Sequence, residues 1–251
     1  MGQCSRPPPG WQRGRAGNRG PCLNARAGFP YTQAALKTRI TTVILDFGGV
    51  LGLPQDPVRA ARVAALCGLS FAEFQRLYFR DRLELDRGTL STDEYWARML
   101  QEAGTPPTPG LIARIEEEDS LAWTRINTTM VEWSRELRAA GYATAILSNM
   151  PSDKLAWMRR NPSCSWIAEF PVAVFSCEHR LVKPEPQIYL RCLELLHREP
   201  GECLFLDDSP VNVDGGRAVG LASVRFTTVA EAVPALSGVW GLPVHSLGAT
   251  S

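Results

Sequence analysis

The sequence predicts an α/β fold, a doubly wound and mostly parallel Rossmann-like sheet with a small α-helical cap inserted after the first strand. Two observations predict it. Short apolar runs alternate with helical patterns over most of the chain, as in sheets of parallel strands joined by right-handed crossovers. The interval over residues 54–128 breaks this alternation, because it contains amphipathic helical patterns and no convincing strand.

Five apolar runs are predicted to be the strands. The first, ITTVILDF at residues 40–47, is apolar on both faces, which suits a strand buried in a parallel sheet. The others are ATAIL at 143–147, VAVF at 172–175, CLFL at 203–206 and a weaker run at 223–226. Helices are predicted between them at 130–140, 154–160 and 186–198.

The interval after the first strand is predicted to hold four helices, at residues 58–67, 70–81, 91–103 and 110–120. Ser70 with Glu73 and Ser91 with Glu94 have the spacing of capping boxes. We therefore predict a core domain over residues 39–53 and 129–236, a cap over 54–128 and a C-terminal tail over 237–251. The cap is expected over the C-terminal edge of the sheet, where open α/β sheets bind ligands.

The first 38 residues are predicted to be a disordered basic extension. They are rich in Pro, Gly and Arg and show no periodicity, so they cannot bury enough apolar surface to offset chain entropy. The leading interpretation is a dispensable extension or a start codon assigned too early. A transit peptide, a basic arm that contacts nucleic acid and an acylation signal stay open beside it.

Composition excludes several classes of protein. The 251 residues carry a net charge of +1, which argues against a generally basic nucleic-acid binder. No apolar run approaches the roughly 18–20 residues that a membrane span requires. The seven cysteines are scattered, with no C-x-x-C pair, so neither a zinc site nor a disulfide framework is expected. We predict a cytoplasmic protein with a small-molecule substrate and leave its oligomeric state open.

Polar residues and glycines follow the predicted strands. They are Asp46, Gly48, Gly49, Ser148, Asn149, Asp207 and Asp208, and a later loop offers Lys183. Because the ends of parallel strands lie on one edge, residues distant in sequence are expected to converge there. Carboxylates with carbonyl oxygens suit Mg²⁺, and a lysine, a hydroxyl and glycine amides suit a phosphate. A carboxylate beside Mg²⁺ can attack phosphorus and form an acyl phosphate.

Four stretches of the chain resemble, in order, the signature motifs of the haloacid dehalogenase-like (HAD) hydrolases. They are ILDFGGVL at 44–51, ILSNM at 146–150, VKPEPQIY at 182–189 and FLDDSPVN at 205–212. The resemblance covers roughly residues 40–235. Each motif is weak alone, but four in order are specific. The subfamily IA-like group of sugar-phosphate phosphatases and epoxide hydrolase N-terminal phosphatase domains is the most similar, and the segment at 86–96 resembles its cap.

This resemblance implies a nucleophile and a metal site. Asp46 is expected to attack phosphorus and also to bind Mg²⁺. The carbonyl of Gly48 is implied as a second metal ligand. Asp207 and Asp208 are implied to complete the protein's share of the coordination, Asp208 directly or through water.

The resemblance also implies a phosphate site. Ser148 and Asn149 are expected to hydrogen-bond the phosphoryl oxygens, and the backbone at Gly48 and Gly49 is expected to contact the substrate. Lys183 is implied to neutralise charge shared by the nucleophile and the phosphate. Catalysis of this kind is mostly positioning and electrostatic stabilisation.

One position departs from the family pattern. Most phosphatases of the family carry a second Asp two residues after the nucleophile as general acid and base, and here that position is Gly48. Such a residue contributes typically about 10²–10⁴-fold in rate. Its absence is consistent with slow turnover, with good leaving groups or with a different proton donor, and it argues against a phosphomutase.

Three functions are considered. The leading hypothesis is a Mg²⁺-dependent phosphatase of a small phosphorylated metabolite such as a sugar phosphate. The second is metal-free dehalogenation of a 2-haloacid through Asp46, which Asp207 and Asp208 disfavour because they would repel a carboxylate substrate. The third is a non-catalytic binding protein that keeps the fold, which Gly48 slightly favours and the intact Asp46 and Lys183 oppose.

Overall fold

The computed structural model describes residues 39–248, so the extension predicted over residues 1–38 lies outside the described residues. Five parallel strands form one sheet in the order β3-β2-β1-β4-β5. The strands are β1 (Thr42–Leu45), β2 (Ala143–Ser148), β3 (Val172–Phe175), β4 (Cys203–Asp207) and β5 (Ala222–Arg225). The predicted α/β class with a helical insertion after the first strand is confirmed.

The central strand β1 is buried on both faces. Val43 and Leu45 belong to the apolar core on one side of the sheet, and Ile44 belongs to the core on the other side. The strand is shorter than the predicted 40–47, because after Asp46 the chain turns over residues 47–51, where the Gly52 amide donates to the Phe47 carbonyl at 2.6 Å. Gly49 lies in the left-handed region there, with φ +72°, which ends the extended backbone.

The insertion after β1 has its own apolar core. Its helices are α1 (Pro57–Cys67), α2 (Phe71–Arg80), α3 (Arg82–Arg87), α4 (Thr92–Glu102) and α5 (Pro109–Trp123). Both predicted capping boxes, at Ser70 and Ser91, are present. The sequence did not predict α3, a short helix that Asp81 separates from α2 and that ends at Gly88 with φ +75°.

The remaining helices cover the sheet. They are α6 (Thr128–Ala139), α7 (Ser152–Arg160), α8 (Ser176–His179), α9 (Pro186–Leu196), α10 (Pro210–Ala218) and α11 (Val229–Gly238). The sequence analysis did not predict α10 or α11. Gly215 and Gly216 lie within α10 and Pro234 within α11, and these residues lower helix propensity.

The segment after α11 packs against α6. Leu242 and Leu247 are buried in the main core. The indole nitrogen of Trp133 donates a hydrogen bond to the carbonyl of Pro243 at 2.8 Å. The Glu136 carboxylate accepts hydrogen bonds from the backbone amides of residues 245 and 246. Much of the segment predicted as a C-terminal tail is therefore tied to the core.

Candidate active site

The carboxyl ends of β1 and β4 bring two buried aspartates together. The parallel register pairs Leu45 with Leu206, and the Asp46 amide donates to the carbonyl of Leu206 at 2.9 Å. The next residue of each strand is therefore an aspartate at the same edge. Carboxylate oxygens of Asp46, Asp207 and Asp208 lie within 4.8 Å of one another.

Lys183 lies between the two buried aspartates. Its ammonium nitrogen is 2.8 Å from Asp46 Oδ1 and 2.5 Å from Asp207 Oδ2. It also donates to the carbonyl of Leu147, at 2.9 Å. The lysine side chain has no exposed surface, so these contacts replace its hydration entirely.

The charges of this cluster do not cancel. Burial raises the pKa of Asp46 to about 7, and Asp207 and Asp208 add to the rise while Lys183 opposes it. Burial alone would lower the pKa of Lys183, but Asp207 and Asp46 raise it above its ordinary value, so the ammonium stays charged. Burial and Asp207 raise the pKa of Asp208 as well. Three carboxylates around one ammonium form an oxygen donor set that fits a divalent cation such as Mg²⁺.

Other groups fix the orientation of Asp46 and Asp207. Asp46 Oδ1 accepts a hydrogen bond from the Phe47 amide at 2.7 Å. Asp207 Oδ1 accepts from the Ser209 amide at 2.9 Å and from Asn212 Nδ2 at 3.0 Å. Asn212 lies in the first turn of α10, so the helix that the sequence did not predict helps to position a predicted metal ligand.

The predicted phosphate binders lie at the end of β2. Ser148 is its last residue, and among residues 39–248 its hydroxyl makes one long contact of 3.5 Å, with the Asn149 carbonyl. The side chain of Asn149 is engaged elsewhere. Its Oδ1 accepts from the Lys183 amide at 2.8 Å, and its Nδ2 donates to the Lys183 carbonyl at 3.0 Å. Asn149 therefore positions the Lys183 loop, a contact that its place in the sequence did not indicate.

The two glycines of the first motif differ in their surroundings. A Cβ atom on Gly49 would lie 2.4 Å from Asp208 Oδ2, and the positive φ there disfavours any side chain. Gly48 has φ −65° and ψ 128°, which any residue adopts. A Cβ on Gly48 would meet Trp123 Cζ3 at 3.8 Å, an ordinary contact. Position 48 therefore has room for a side chain, and Trp123 of the insertion reaches over it.

A cluster of charged residues that the sequence analysis did not assign to the site lies where the insertion meets the core. Lys154 of α7 contacts Asp119 of α5, with Nζ 2.8 Å from Oδ2. Arg82 and Asp86 of α3 form a second pair at 2.8 Å. Nothing in the sequence indicated that Lys154 is buried, because the aspartate that pairs with it lies 35 residues away along the chain.

None of the helices within residues 39–248 has the length and hydropathy needed to span a bilayer. In the same part of the chain the cysteines are free thiols, namely Cys67, Cys164, Cys177, Cys192 and Cys203.

Comparisons with known proteins agree with this geometry. Residues 40–220 match the family model described as haloacid dehalogenase-like hydrolase. Bifunctional epoxide hydrolase 2 of Rattus norvegicus is 33% identical over 215 residues, which are 78% of this chain and 38% of that protein. The chain thus spans well under half the length of this relative.

Two solved structures have the same fold. A HAD family enzyme from Bacteroides thetaiotaomicron, in complex with magnesium and inorganic phosphate, superposes with a TM-score of 0.62 at 23% identity, covering 74% of this chain and 93% of that one. L-2-haloacid dehalogenase from Xanthobacter autotrophicus superposes with a TM-score of 0.56 at 23% identity, covering 82% and 84%. At this identity the two likenesses concern the fold alone.

Proposed function

Because the chain belongs to the haloacid dehalogenase-like hydrolase family, we propose that it is a Mg²⁺-dependent phosphatase of a small phosphorylated metabolite, with sugar phosphates as an expected class. One observation carries the proposal. Lys183 links Asp46 and Asp207 at the edge of the sheet, with Asp208 beside them. This arrangement pairs a fixed nucleophilic carboxylate with a cation site.

Asp46 acts as the nucleophile in this proposal. A hydrogen bond from the Phe47 amide and an ion pair with Lys183 hold its Oδ1, so the carboxylate is oriented before substrate binds. A carboxylate oxygen attacks phosphorus, the ester oxygen leaves, and water then hydrolyses the aspartyl-phosphate. The aspartates and the Gly48 carbonyl would hold Mg²⁺, which would supply charge neutralisation for the phosphoryl group. Ser148 and the backbone at Gly49 contact the phosphoryl oxygens.

The Bacteroides relative's magnesium and phosphate support this proposal, although they belong to that protein. The fold likeness to a haloacid dehalogenase keeps hydrolytic dehalogenation as the second candidate. The third aspartate disfavours that reaction, because Asp208 adds negative charge where a carboxylate substrate would bind. The third candidate, a non-catalytic binding protein, gives no reason for Lys183 to be buried between Asp46 and Asp207.

The proposed organisation has a core domain over residues 39–53 and 129–236 with a helical cap over 54–128. The cap would close over a small substrate and exclude water. We include a cytoplasmic location in the proposal, since the cysteines within residues 39–248 are free thiols.

The test is hydrolysis of p-nitrophenyl phosphate by the purified chain. We expect activity with Mg²⁺, loss of it with EDTA, and a drop of more than about 10³-fold in the Asp46→Asn variant. Asp214→Asn, an exposed aspartate on α10, is the control for the same change and is expected to keep activity.

Equal rates for Asp46→Asn and the parent would end the nucleophile assignment. Release of halide from 2-chloropropionate without metal would replace the phosphatase with the dehalogenase. Absence of both reactions, together with failure of a panel of metabolite phosphates, would favour a binding protein.

A further inference from the structure

A cavity of about 140 Å³ lies between the insertion and the core. Its lining includes Phe79, Arg82, Asp86, Trp123, Asn149 and Lys154. Trp123 packs over Gly48, two residues after the proposed nucleophile, and Asn149 follows Ser148 directly. The cavity therefore adjoins the position at which a phosphoryl group would react, and the insertion forms part of its lining.

Both cations of the cavity are neutralised by buried aspartates. Lys154 Nζ is 2.8 Å from Asp119 Oδ2, and the two side chains are only 2% and 5% exposed. Arg82 Nε is 2.8 Å from Asp86 Oδ1. Two positive and two negative groups thus cancel, and the cavity offers a bound molecule no net charge.

The same groups still offer hydrogen-bond donors. An ammonium carries three donors, and the contact with Asp119 uses one of those on Lys154. A guanidinium carries five, and on Arg82 one goes to Asp86 and another to the Tyr78 hydroxyl. The Trp123 indole nitrogen donates to the same hydroxyl at 2.9 Å, which fixes the ring as an apolar wall.

We propose that this cavity binds the leaving group and selects an uncharged, hydroxyl-bearing one against a leaving group that carries a second anion. The inference rests on the proposed phosphatase function. Hydroxyl oxygens can accept from the free donors of Lys154 and Arg82, whereas a carboxylate would lose its hydration in a cavity without net positive charge. At about 30 Å³ for each water-sized group, the volume of about 140 Å³ holds between four and five such groups, which suits a small leaving group.

A matched pair of substrates tests the selectivity. Glycerol 3-phosphate and 3-phosphoglycerate differ in that a hydroxymethyl group replaces a carboxylate. We expect the parent protein to hydrolyse glycerol 3-phosphate with kcat/KM at least about tenfold higher, a preference worth about 1.4 kcal/mol. Equal values, or a preference for 3-phosphoglycerate, would overturn the proposal.

A charge switch tests which residues are responsible. Asp119→Asn leaves Lys154 without its anion, and Asp86→Asn does the same for Arg82. Each variant should shift the kcat/KM ratio about tenfold towards 3-phosphoglycerate. Asp93→Asn, an exposed aspartate on α4, makes the same change outside the cavity and should leave the ratio as in the parent.

Thermal unfolding shows which variants fold. If only one of the two cavity variants folds, that variant decides the assignment, and if neither folds, the ratio in the parent decides the proposal. An unchanged ratio in a folded cavity variant would contradict it. Phosphate release separates the two levels. Its absence with p-nitrophenyl phosphate and with the panel of metabolite phosphates would refute the phosphatase itself, whereas its presence with no selectivity would refute the cavity assignment alone.

Discussion

Gly48 and Gly49 are neighbours in the sequence, but the structure constrains only the second. Gly49 has φ +72°, and a Cβ there would lie 2.4 Å from Asp208 Oδ2. A side chain at Gly49 would therefore strain the backbone and displace a proposed metal ligand. Gly48 has an ordinary backbone conformation, and a Cβ there would make an ordinary van der Waals contact with Trp123. The two positions form a matched pair for the same substitution.

Gly49→Ala is expected to lower both stability and Mg²⁺-dependent activity. The left-handed conformation costs a residue with a Cβ roughly 1–2 kcal/mol, and moving Asp208 adds to the loss. Gly48→Ala is the control and should change the free energy of unfolding little. Urea unfolding and activity against Mg²⁺ concentration measure both effects. A Gly49→Ala variant as stable and active as Gly48→Ala would contradict the geometry.

Gly48→Asp is expected to increase hydrolysis of phosphates with poor leaving groups. The position has room for a side chain and lies two residues after Asp46, where most phosphatases of the family carry their general acid. We expect a gain of about tenfold or more in kcat for an alkyl phosphate, within the range of general acid catalysis. p-Nitrophenyl phosphate needs no proton on its leaving group and should gain little. An equal gain for both substrates would contradict a role in proton transfer.

For single residues, the sequence predicted which side chains lie at the carboxyl-terminal edge of the sheet better than it predicted the contacts that these side chains make. Asp46, Asp207 and Lys183 were predicted to converge because strand ends share an edge, and the structure places them in contact. Asn149 is predicted to bind phosphate, which stays a prediction, and its side chain also holds the backbone of Lys183, a contact that was not predicted. The orientation of an amide depends on a loop 34 residues away, which no local pattern encodes.

Helix α5 carries two kinds of acidic residue. Asp119 is buried and paired with Lys154, whereas Glu116 is half-buried near α7. Burial raises the pKa of Glu116 to about 7, and the negative charges of Asp153 and Asp93 add to the rise. The folded protein therefore holds a proton on Glu116 that the unfolded chain releases at lower pH.

Glu116→Gln is expected to stabilise the protein at high pH. The usual pKa of glutamate is 4.5, so folding stability falls as pH rises from there to about 7, and the loss is complete above pH 7. The variant removes this loss, so its gain in Tm should be small at pH 4.5 and largest at pH 8. Glu117→Gln, at the exposed neighbouring position, is the control. A gain in Tm that does not depend on pH would contradict the role of Glu116 ionisation.

The sequence predicted those strands and helices whose local residue pattern favours the structure that they adopt in the fold. The runs at 143–147, 172–175 and 203–206 became strands within one residue of their predicted bounds. Helix α10 was missed because Gly215 and Gly216 weaken its helical signal. The tertiary structure explains both residues, since a Cβ on Gly215 would lie 2.8 Å from the Pro184 carbonyl, and one on Gly216 would lie 2.7 Å from Ser223 Oγ.

At the scale of the molecule, several contacts join the insertion to the core around the site. Arg87 contacts Glu185 through two hydrogen bonds, of 2.8 and 2.7 Å. The hydroxyl of Ser176 donates to the carbonyl of Asp86 and accepts from the Met150 amide at 2.8 Å. These contacts, with the buried pair of Lys154 and Asp119, fix α3 and α5 beside the loop that follows β2. The insertion therefore forms one wall of the proposed active site.

Deletion of the C-terminal segment is expected to destabilise the protein, whereas deletion of the N-terminal extension is expected to change its stability little. Removing residues 239–251 takes away Leu242 and Leu247, each 3% exposed, and the acceptor of the Trp133 hydrogen bond. Burial of a leucine is worth about 1.5–3 kcal/mol, so we expect a loss of about 3–6 kcal/mol, a large part of the 5–15 kcal/mol typical of folded proteins. Removing residues 1–38 is proposed to leave Tm and phosphatase activity nearly unchanged, because their composition offers little apolar surface to bury.

Urea unfolding of the two truncated chains and the parent, with p-nitrophenyl phosphate hydrolysis in parallel, measures both effects. Ser246→Ala separates packing from hydrogen bonding at the C-terminal segment. It removes one hydroxyl contact with Glu136 and leaves both leucines in place, so its loss should be at most about 1.5 kcal/mol. A C-terminal deletion no less stable than this variant would mean that Leu242 and Leu247 do not support the core. A large loss on removing residues 1–38 would give that extension a role in folding or catalysis.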